Sequence, residues 1–434
     1  MTGTLIISIA TCLLMIWGVI FKPVIKIKHL HFDSYWLIVL IGALSLLVLG
    51  YADAEKVFSA MTTNTAVNPI KIAVLFISMT VISVFLDEMG FFKYVANASL
   101  KHSGRSQMKL FLYFYLTVSV LTVFTSNDII ILTFTPFICY FAKHAGISPV
   151  PYIISEFVAA NTWSMALIIG NPTNVYLATI YGIDFVEYMK IMLLPTILAG
   201  TTAFFVLWLI FHKQLEKEMD PDTEDIEIKD KTLLAIGLIH LCVCTVLLAV
   251  ASYFDWEMWL ISLSSVISLY FCVAVVNIFR RKAPKVLISC TKRAPWALVP
   301  FILSMFVIIL AINDSGVTKM ICDALGHGGN VFAYGISSAF SSNVINNIPM
   351  SVLYSSILEN LTGGEQIRAL FAVIIGSNIG ALLTPIGALA GIMWSSILKT
   401  QGVRFGYRDF IKYGFEIGVP TLITALVGMF VMLG

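Results

Sequence analysis

The sequence predicts an all-α polytopic membrane protein built as two inverted repeats, each with five transmembrane helices and one re-entrant hairpin, with broken helices at the midplane. Three observations support this fold class. The 434 residues are 59% hydrophobic and 12% charged, whereas a soluble domain carries about a quarter charged residues. Apolar stretches long enough to cross a bilayer, roughly 20 residues, recur along the chain. Short motifs of the first half return in the second half in the same order.

The apolar stretches are predicted to be helices, because in lipid every backbone polar group must be bonded within the protein. The expected spans are 3–21, 34–51, 70–90, 151–181, 188–211, 232–251, 256–278, 295–312, 366–398 and 410–433. The first is expected to be retained, since it lacks a basic start and a small-residue cleavage site. Segments 110–143 and 331–358 carry their polar residues in the middle, which is typical of re-entrant hairpins.

Two of the expected spans are too long for one simple crossing and contain helix breakers. The first breaks at Gly170-Asn171-Pro172-Thr173-Asn174, and the second at Thr384-Pro385-Ile386-Gly387. Proline lacks the N–H that a helix interior needs, so each of these segments is predicted to consist of two half-helices.

The basic residues set the predicted orientation. All but five of the 27 Lys and Arg residues fall in segments that this layout places in the cytoplasm, as the positive-inside rule requires. The five outside are Lys56, Lys71, Lys190, Lys319 and Arg368. We therefore predict a first repeat at 1–211, a cytoplasmic linker at 212–231 and a second repeat at 232–434.

The two halves repeat short motifs at offsets between 216 and 226 residues. Leu86 to Lys93 parallels Ile312 to Lys319, Ser126-Asn127 parallels Ser342-Asn343, Asn161 parallels Asn378, and Asp184-Phe185 parallels Asp409-Phe410. Because each copy has five spans and a hairpin, the second copy must enter the membrane upside down. This is the plan of secondary transporters, whose substrate sites lie where helices break near the midplane.

Uncharged polar residues in apolar surroundings are the candidate substrate site. They can bind an uncharged or ionic solute, because amides and hydroxyls both donate and accept hydrogen bonds. The proposed substrate-binding residues are Ser126, Asn127, Asn161, Thr173, Asn174, Asn343, Asn346, Asn347, Asn378, Thr384 and Pro385. The alternative is a purely structural role: these residues only bond to the backbone groups left free at the helix breaks, or hold neighbouring helices together.

Asp128 is the one acid placed in the middle of a predicted hairpin, and its counterpart in the other half is Val344. A carboxylate in the membrane core is costly, so it is usually paired, solvated or protonated. We predict that Asp128 couples transport to protons; a cation ligand or a structural hydrogen-bonding group is the alternative. Glu156 lies near the cytoplasmic end of its span and is expected to face water. Asp87, Glu88 and Asp314 lie at span ends, where interfacial or capping roles are expected.

Several function classes are disfavoured by the sequence. The seven cysteines are scattered and form no zinc or disulfide pattern. There is no ATP-binding P-loop, no His-Glu-x-x-His motif and no basic patch with interleaved aromatic residues. We therefore expect no cofactor, no resident metal and no nucleic-acid partner, and neither an enzyme nor a non-transporting scaffold.

These motifs resemble the ion transporter superfamily, and within it the arsenical-pump membrane permeases that export arsenite and antimonite. The similarity is greatest at Leu86 to Phe92, at Ser126-Asn127-Asp128, at Asn378-Ile379-Gly380 and at Leu383 to Gly387. The resemblance implies location in the cell (inner) membrane, export driven by proton entry, a homodimer and, in some members, an accessory cytoplasmic ATPase. It also implies that Asn127, Asp128, Asn378, Thr384 and Pro385 belong to the site.

The first break departs from the arsenical permeases, which have a Ser-Asn-x-x-Asn pattern without the proline. The form here resembles sodium-coupled carboxylate carriers and sodium/proton antiporters of the same superfamily. Arsenite at neutral pH is an uncharged trihydroxide, which suits a pocket of amides and hydroxyls. The predicted function is therefore proton-coupled export of arsenite or antimonite, with a sodium/proton antiporter or a sodium-coupled organic-anion carrier as alternatives.

Overall fold

The computed structural model describes residues 2–22, 24–27, 30–64, 68–220, 228, 230–254, 256–326, 328 and 330–434. Residues 221–227 and 229 of the predicted linker, and Lys28 among the predicted cytoplasmic cations, lie outside this described part. The described chain is nearly all helical, which confirms the predicted fold class.

The helices of the first half precede the linker. They are α1 (Thr2–Phe21), α2 (Ser34–Val48), α3 (Ala54–Thr62), α4 (Pro69–Glu88), α5 (Phe91–Ser103), α6 (Gln107–Phe124), α7 (Asn127–His144), α8 (Val150–Trp163), α9 (Pro172–Ile180) and α10 (Phe185–Leu215).

The helices of the second half follow in a similar order. They are α11 (Lys231–Val250), α12 (Met258–Phe279), α13 (Lys285–Arg293), α14 (Leu298–Asp314), α15 (Val317–Leu325), α16 (Val331–Ile345), α17 (Asn347–Leu358), α18 (Gly363–Gly380), α19 (Leu389–Thr400) and α20 (Tyr407–Leu433).

A short β-hairpin between α1 and α2 is a departure from helix that the sequence did not predict. Strands β1 (Val24–Ile27) and β2 (Leu30–Asp33) pair antiparallel, with Val24 opposite Asp33 and Ile27 opposite Leu30. Branched and aromatic side chains favour strand over helix here, but four residues are too few for a reliable alternation pattern.

Seven helical segments of the described chain are long and apolar enough to cross a membrane. They are Pro69–Glu88, Gln107–Phe124, Phe185–Leu215, Lys231–Leu248, Met258–Phe279, Lys285–Asp314 and Tyr407–Leu433. Six of them match expected spans; the seventh is α6, which the sequence assigned to a re-entrant hairpin. The expected spans 3–21 and 34–51 correspond to the shorter apolar helices α1 and α2.

Both predicted helix breaks are present. The chain between α8 and α9 leaves the helix at Ser164 and makes a short 3-10 helix (Ile168–Gly170) before Pro172 starts α9. Between α18 and α19 it makes a second 3-10 helix (Pro385–Gly387). The first break begins earlier than predicted. It is also tight, because a Cβ on Gly170 would lie 2.2 Å from the carbonyl oxygen of Ser164.

The two halves place similar elements in the same order and exchange contacts reciprocally. In each half a left-handed glycine separates a long helix from a short one: Gly90 (φ 80°) between α4 and α5, and Gly316 (φ 77°) between α14 and α15. Helix α2 packs against α14 while α12 packs against α4, and α7 packs against α19 while α17 packs against α9. The inverted orientation and the boundaries at 211 and 232 stay predictions.

Ion pairs join the two halves at their surfaces. Lys56 Nζ lies 3.0 Å from Asp314 Oδ2, and Lys71 Nζ lies 2.8 Å from Glu257 Oε2. The hydrogen bond from Lys71 lowers the pKa of Glu257, just before α12, below its usual value. The expected interfacial or capping role of Asp314 is thus an ion-pairing one.

A further ion-pair cluster joins Arg293 to the end of α4. Its two terminal nitrogens lie 2.5 Å from Asp87 Oδ2 and 2.6 Å from Glu88 Oε1. Within the described residues, the ion pairs of Lys56, Lys71 and Arg293 each connect a residue of one half with a residue of the other half.

Candidate functional site

The first part of the site forms where α7 begins. Asn127 is buried in the first turn of α7, and its Nδ2 donates a 3.1 Å hydrogen bond to Oδ1 of Asn161 on α8. Asn161 in turn donates to the carbonyl of Phe157, which fixes its orientation. Within the described residues, Oδ1 of Asn127 is buried without a hydrogen-bond partner. The start of α7 therefore presents an unoccupied acceptor inside the protein.

The first helix break is held by its own amide side chains. Asn171 caps α9, because its Oδ1 accepts from the backbone N–H of Thr173 at 3.1 Å. Asn174 Nδ2 donates to the carbonyl of Ser164 at 2.9 Å and to that of Leu167 at 3.3 Å. The carbonyls freed by the end of α8 are thus satisfied by a side chain from the next half-helix.

Asn378, near the end of α18, connects this break to the second half. Its Oδ1 accepts from Ser164 Oγ and from Asn171 Nδ2, each at 2.9 Å. Its Nδ2 donates to Asn174 Oδ1 at 2.7 Å and to the carbonyl of Ile374 at 2.8 Å. All four hydrogen-bonding positions of one amide are used. Asn378 of the second half therefore bonds to three residues of the first half that lie more than two hundred positions earlier in the chain.

A second polar group forms around the other break. Asn343 Oδ1 accepts from Thr384 Oγ1 at 2.6 Å, and its Nδ2 donates to the carbonyl of Gly380 at 2.8 Å. Asn346 has φ 72° and ψ 154°, a strained backbone outside the left-handed helical region, and its Nδ2 donates to the carbonyl of Ile386 at 2.9 Å. Because Gly380 follows Asn378 on α18, the two polar groups adjoin.

Three predicted site residues take a smaller part. Ser126 precedes α7 but makes no side-chain capping bond, and Pro385 starts the second 3-10 helix. Asn347 is buried at the start of α17, where its carbonyl accepts from Ser351. No hydrogen bond from the Asn347 side chain occurs in the part of the chain that the structure describes.

Asp128 lies next to Asn127 in the first turn of α7 and is half-buried. An acid at this position is favoured by the helix dipole. It lies close enough to Tyr35, at the start of α2, for its charge to act on the phenol. Across the described ranges it has neither an ion-pair nor a hydrogen-bond partner for its side chain. Its proposed role in proton coupling stays a prediction.

Sequence reasoning missed three members of the polar group: Ser164, Asn171 and Ser377. Ser377 Oγ donates to Thr173 Oγ1 at 2.8 Å, a further bond between the halves. A signal for it was available, because Ser377-Asn378 repeats the dipeptide Ser126-Asn127 that marks the first hairpin. Asn171 stood inside the break motif, but no sequence pattern singles out Ser164.

The expectation that Glu156 faces water is wrong. Its side chain is 0% exposed, and Thr135 Oγ1 on α7 lies 2.9 Å from each of its carboxyl oxygens. The sequence placed Glu156 correctly on its helix but could not show that α7 and α19 cover it.

Two cavities lie beside the first helix break. A cavity of about 610 Å³ between α3, α9, α14 and α17 is lined by Lys56, Tyr176, Phe306 and Glu359. A small cavity of about 10 Å³, lined by Thr173 together with Tyr176 and Phe306, lies next to it. Tyr176 and Phe306 line both cavities.

The side chains of the polar group are amides and hydroxyls. Among the described residues, no group of three or more His, Cys, Asp or Glu side chains could hold a metal ion. The arrangement offers neutral donors and acceptors, which suit recognition of a small polar solute by hydrogen bonding.

Comparisons with known proteins place the chain in a family. The family model described as "Citrate transporter" (CitMHS) matches residues 12–367. The arsenical pump membrane protein of Escherichia coli is 27% identical over 377 residues, covering 82% of this chain and 84% of the relative. That of strain K12 is 26% identical over 410 residues, covering 90% and 91%.

Among solved structures, the YdaH transporter of Alcanivorax borkumensis matches with a TM-score of 0.49 at 14% identity, covering 99% of this chain and 97% of that one. The family model spans most of the sequence, and the relatives are membrane proteins of transport systems. The resemblance to the ion transporter superfamily and the cell-membrane location are thereby confirmed. The chain belongs to the citrate transporter (CitMHS) family of that superfamily, and it is a multi-pass membrane transporter.

Proposed function

We propose that this transporter exports arsenite or antimonite in exchange for protons. The observation that carries the proposal is the neutral polar group between the halves, with the buried and unpartnered Oδ1 of Asn127 at its edge. Arsenite at neutral pH is an uncharged molecule with three hydroxyls. One of its O–H groups can satisfy this acceptor, and its other oxygens can accept from neighbouring amides.

The absence of positive charge at the polar group favours a neutral solute over a carboxylate. Within the described chain, the bonds of Asn127, Asn161, Asn174 and Asn378 all go to amides, hydroxyls or backbone groups. A multiply charged anion bound there would lack a cation to offset its desolvation. The names of the arsenical pump relatives support the same solute class.

Asp128 is the proposed site of proton coupling. A half-buried carboxyl beside the solute site can bind a proton from one side of the membrane and release it to the other. We expect Asp128→Asn to abolish uptake driven by a pH gradient while the protein stays folded. Full activity of that variant under a pH gradient would refute this role. The homodimer and the accessory ATPase implied by the resemblance stay predictions.

An organic-anion carrier is the second candidate, for two reasons. The family model is described as a citrate transporter, and the first turn of α7 has no side-chain cap. Free N–H groups at a helix start attract anions even without a cationic side chain.

Transport into inside-out vesicles separates the candidates. Arsenite, sodium and citrate are offered one at a time, with and without a pH gradient. We expect arsenite to accumulate and the accumulation to collapse when an uncoupler is added. Movement of citrate or sodium without movement of arsenite would contradict the proposal and favour the alternatives.

A further inference from the structure

Glu156 is a buried acid outside the polar group. It lies in the middle of α8, which packs on α7 of its own half and touches Trp394 of α19 in the other half through Phe157. Its side chain is fully covered, and no Lys, Arg or His among the described residues forms an ion pair with it. Burying an unpaired carboxylate in such a place costs roughly several kcal/mol of free energy. The neutral acid avoids this cost and is therefore favoured.

The contact with Thr135 fits a neutral acid better than a carboxylate. Thr135 Oγ1 is equidistant, at 2.9 Å, from both carboxyl oxygens. One threonine hydroxyl has a single hydrogen and can donate fully to only one of these oxygens. A protonated carboxyl supplies a second hydrogen, so that one oxygen accepts from the hydroxyl while the other donates back to it.

Trp394 on α19 provides a second donor beside the same carboxyl. Its ring is 1% exposed and packs on Phe157, with the ring centroids 5.1 Å apart. The indole N–H lies within reach of Glu156, yet within the described residues it is a buried donor without a good hydrogen-bond partner. A small displacement of α19 would allow it to donate to the carboxyl.

The other groups around Glu156 carry no compensating charge. On α7, the Cys139 thiol lies one turn from Thr135 and within electrostatic reach of Glu156. Tyr152 lies one turn before Glu156 on α8. Its phenol donates a 3.1 Å hydrogen bond to Gln107 on α6 and so faces that helix. On α19 the group that faces Glu156 is the indole of Trp394.

We propose that Glu156 is a second proton-binding site of this transporter, at the contact of α7 and α8 with α19. Its carboxyl holds the proton while the contact is closed. The proton passes to water when α19 moves away from α7 and α8, and Thr135 on α7 then donates to the carboxylate that remains. The coupling role rests on the proposed proton-driven function, whereas the proton-binding site itself does not.

Infrared difference spectroscopy of the full-length protein in lipid tests the site directly. In Asp128→Asn, which removes the other proposed proton site, we expect a pH-dependent C=O band of a protonated carboxylic acid, its loss when Glu156→Gln is added and its retention when Glu416→Gln is added instead. Glu416 is an exposed glutamate on α20 and serves as the matched control. Absence of the band from Asp128→Asn, or its persistence when Glu156→Gln is added, would overturn the proposal.

Thr135→Val keeps the proposal testable even if Glu156→Gln does not fold. Removing the hydroxyl should shift the frequency of the carboxyl band, because its hydrogen bond is lost. An unchanged frequency would show that the band belongs to another acid.

Transport in vesicles tests the coupling role. We expect Glu156→Gln to retain exchange of arsenite for arsenite at equal pH but to lose the additional uptake that a pH gradient drives. Wild-type response to the gradient would refute coupling through Glu156. If the wild-type protein moves no arsenite, the proposed function fails, and the infrared result still decides whether Glu156 binds a proton.

Discussion

Asn378→Ala tests whether the two halves are held together at one amide. The substitution removes four hydrogen bonds, three of which connect α18 to Ser164, Asn171 and Asn174. Bonds between membrane helices average about 0.6 kcal/mol each, so the three contribute about 2 kcal/mol. Asn171 Nδ2 and Asn174 Oδ1 would be left without these partners, at about 1–3 kcal/mol each on the scale of soluble proteins, whereas Ser164 Oγ keeps its bond to the carbonyl of Asn161. We therefore expect the free energy of unfolding to fall by at least about 2 kcal/mol.

Reversible unfolding in mixed micelles, monitored by circular dichroism, measures this change. Asn360→Ala is the matched control, because Asn360 is exposed and bonds only to carbonyls of its own helix. Its effect should stay within about 0.5 kcal/mol. Equal stability of the Asn378 and Asn360 variants would show that the bonds at Asn378 do not connect the halves in the membrane.

Three other substitutions probe the site, the surface and the packing. Asn127→Ala should abolish arsenite uptake with little loss of stability, since it removes the free acceptor and one hydrogen bond; retained uptake would move the site elsewhere. Arg293→Ala should cost about 1 kcal/mol, and less at high salt, because its pair with Asp87 is partly exposed; a salt-independent loss in denaturation curves would indicate another cause. Gly376→Ala should cost about 1–3 kcal/mol, because the new Cβ would lie 2.0 Å from Ser338 Oγ on α16. Gly364→Ala is the control for this substitution, because the nearest atom to a Cβ at Gly364 lies 3.6 Å away. Equal thermal stability of the Gly376 and Gly364 variants would contradict the packing argument.

Local signals in the sequence accounted for the helices and the breaks. Proline at positions 172 and 385 removes a backbone donor, and both positions start new helical segments. The polar residues near the breaks are predicted to form the site because amides both donate and accept hydrogen bonds, and Asn174 and Asn378 bond to each other. These inferences needed only the local chemistry of each segment.

The inferences that failed depended on contacts between distant segments. Glu156 is covered by Trp394, and no local pattern around either residue indicates that the two meet. Ser164 bonds to Asn378 across more than two hundred residues, although its own surroundings are unremarkable in sequence. Burial and pairing of this kind follow from tertiary packing, which a single sequence does not state.

The location of the solute tests the central claim most directly, namely that a neutral polar group between the two halves binds arsenite. Anomalous scattering from arsenic in crystals grown with arsenite would give that location without assumptions about mechanism. We predict one arsenic peak within hydrogen-bonding reach of Asn127, beside the amides that surround Asn378. A peak at the scattered cysteines, or citrate density in the polar group with no arsenic there, would contradict the account.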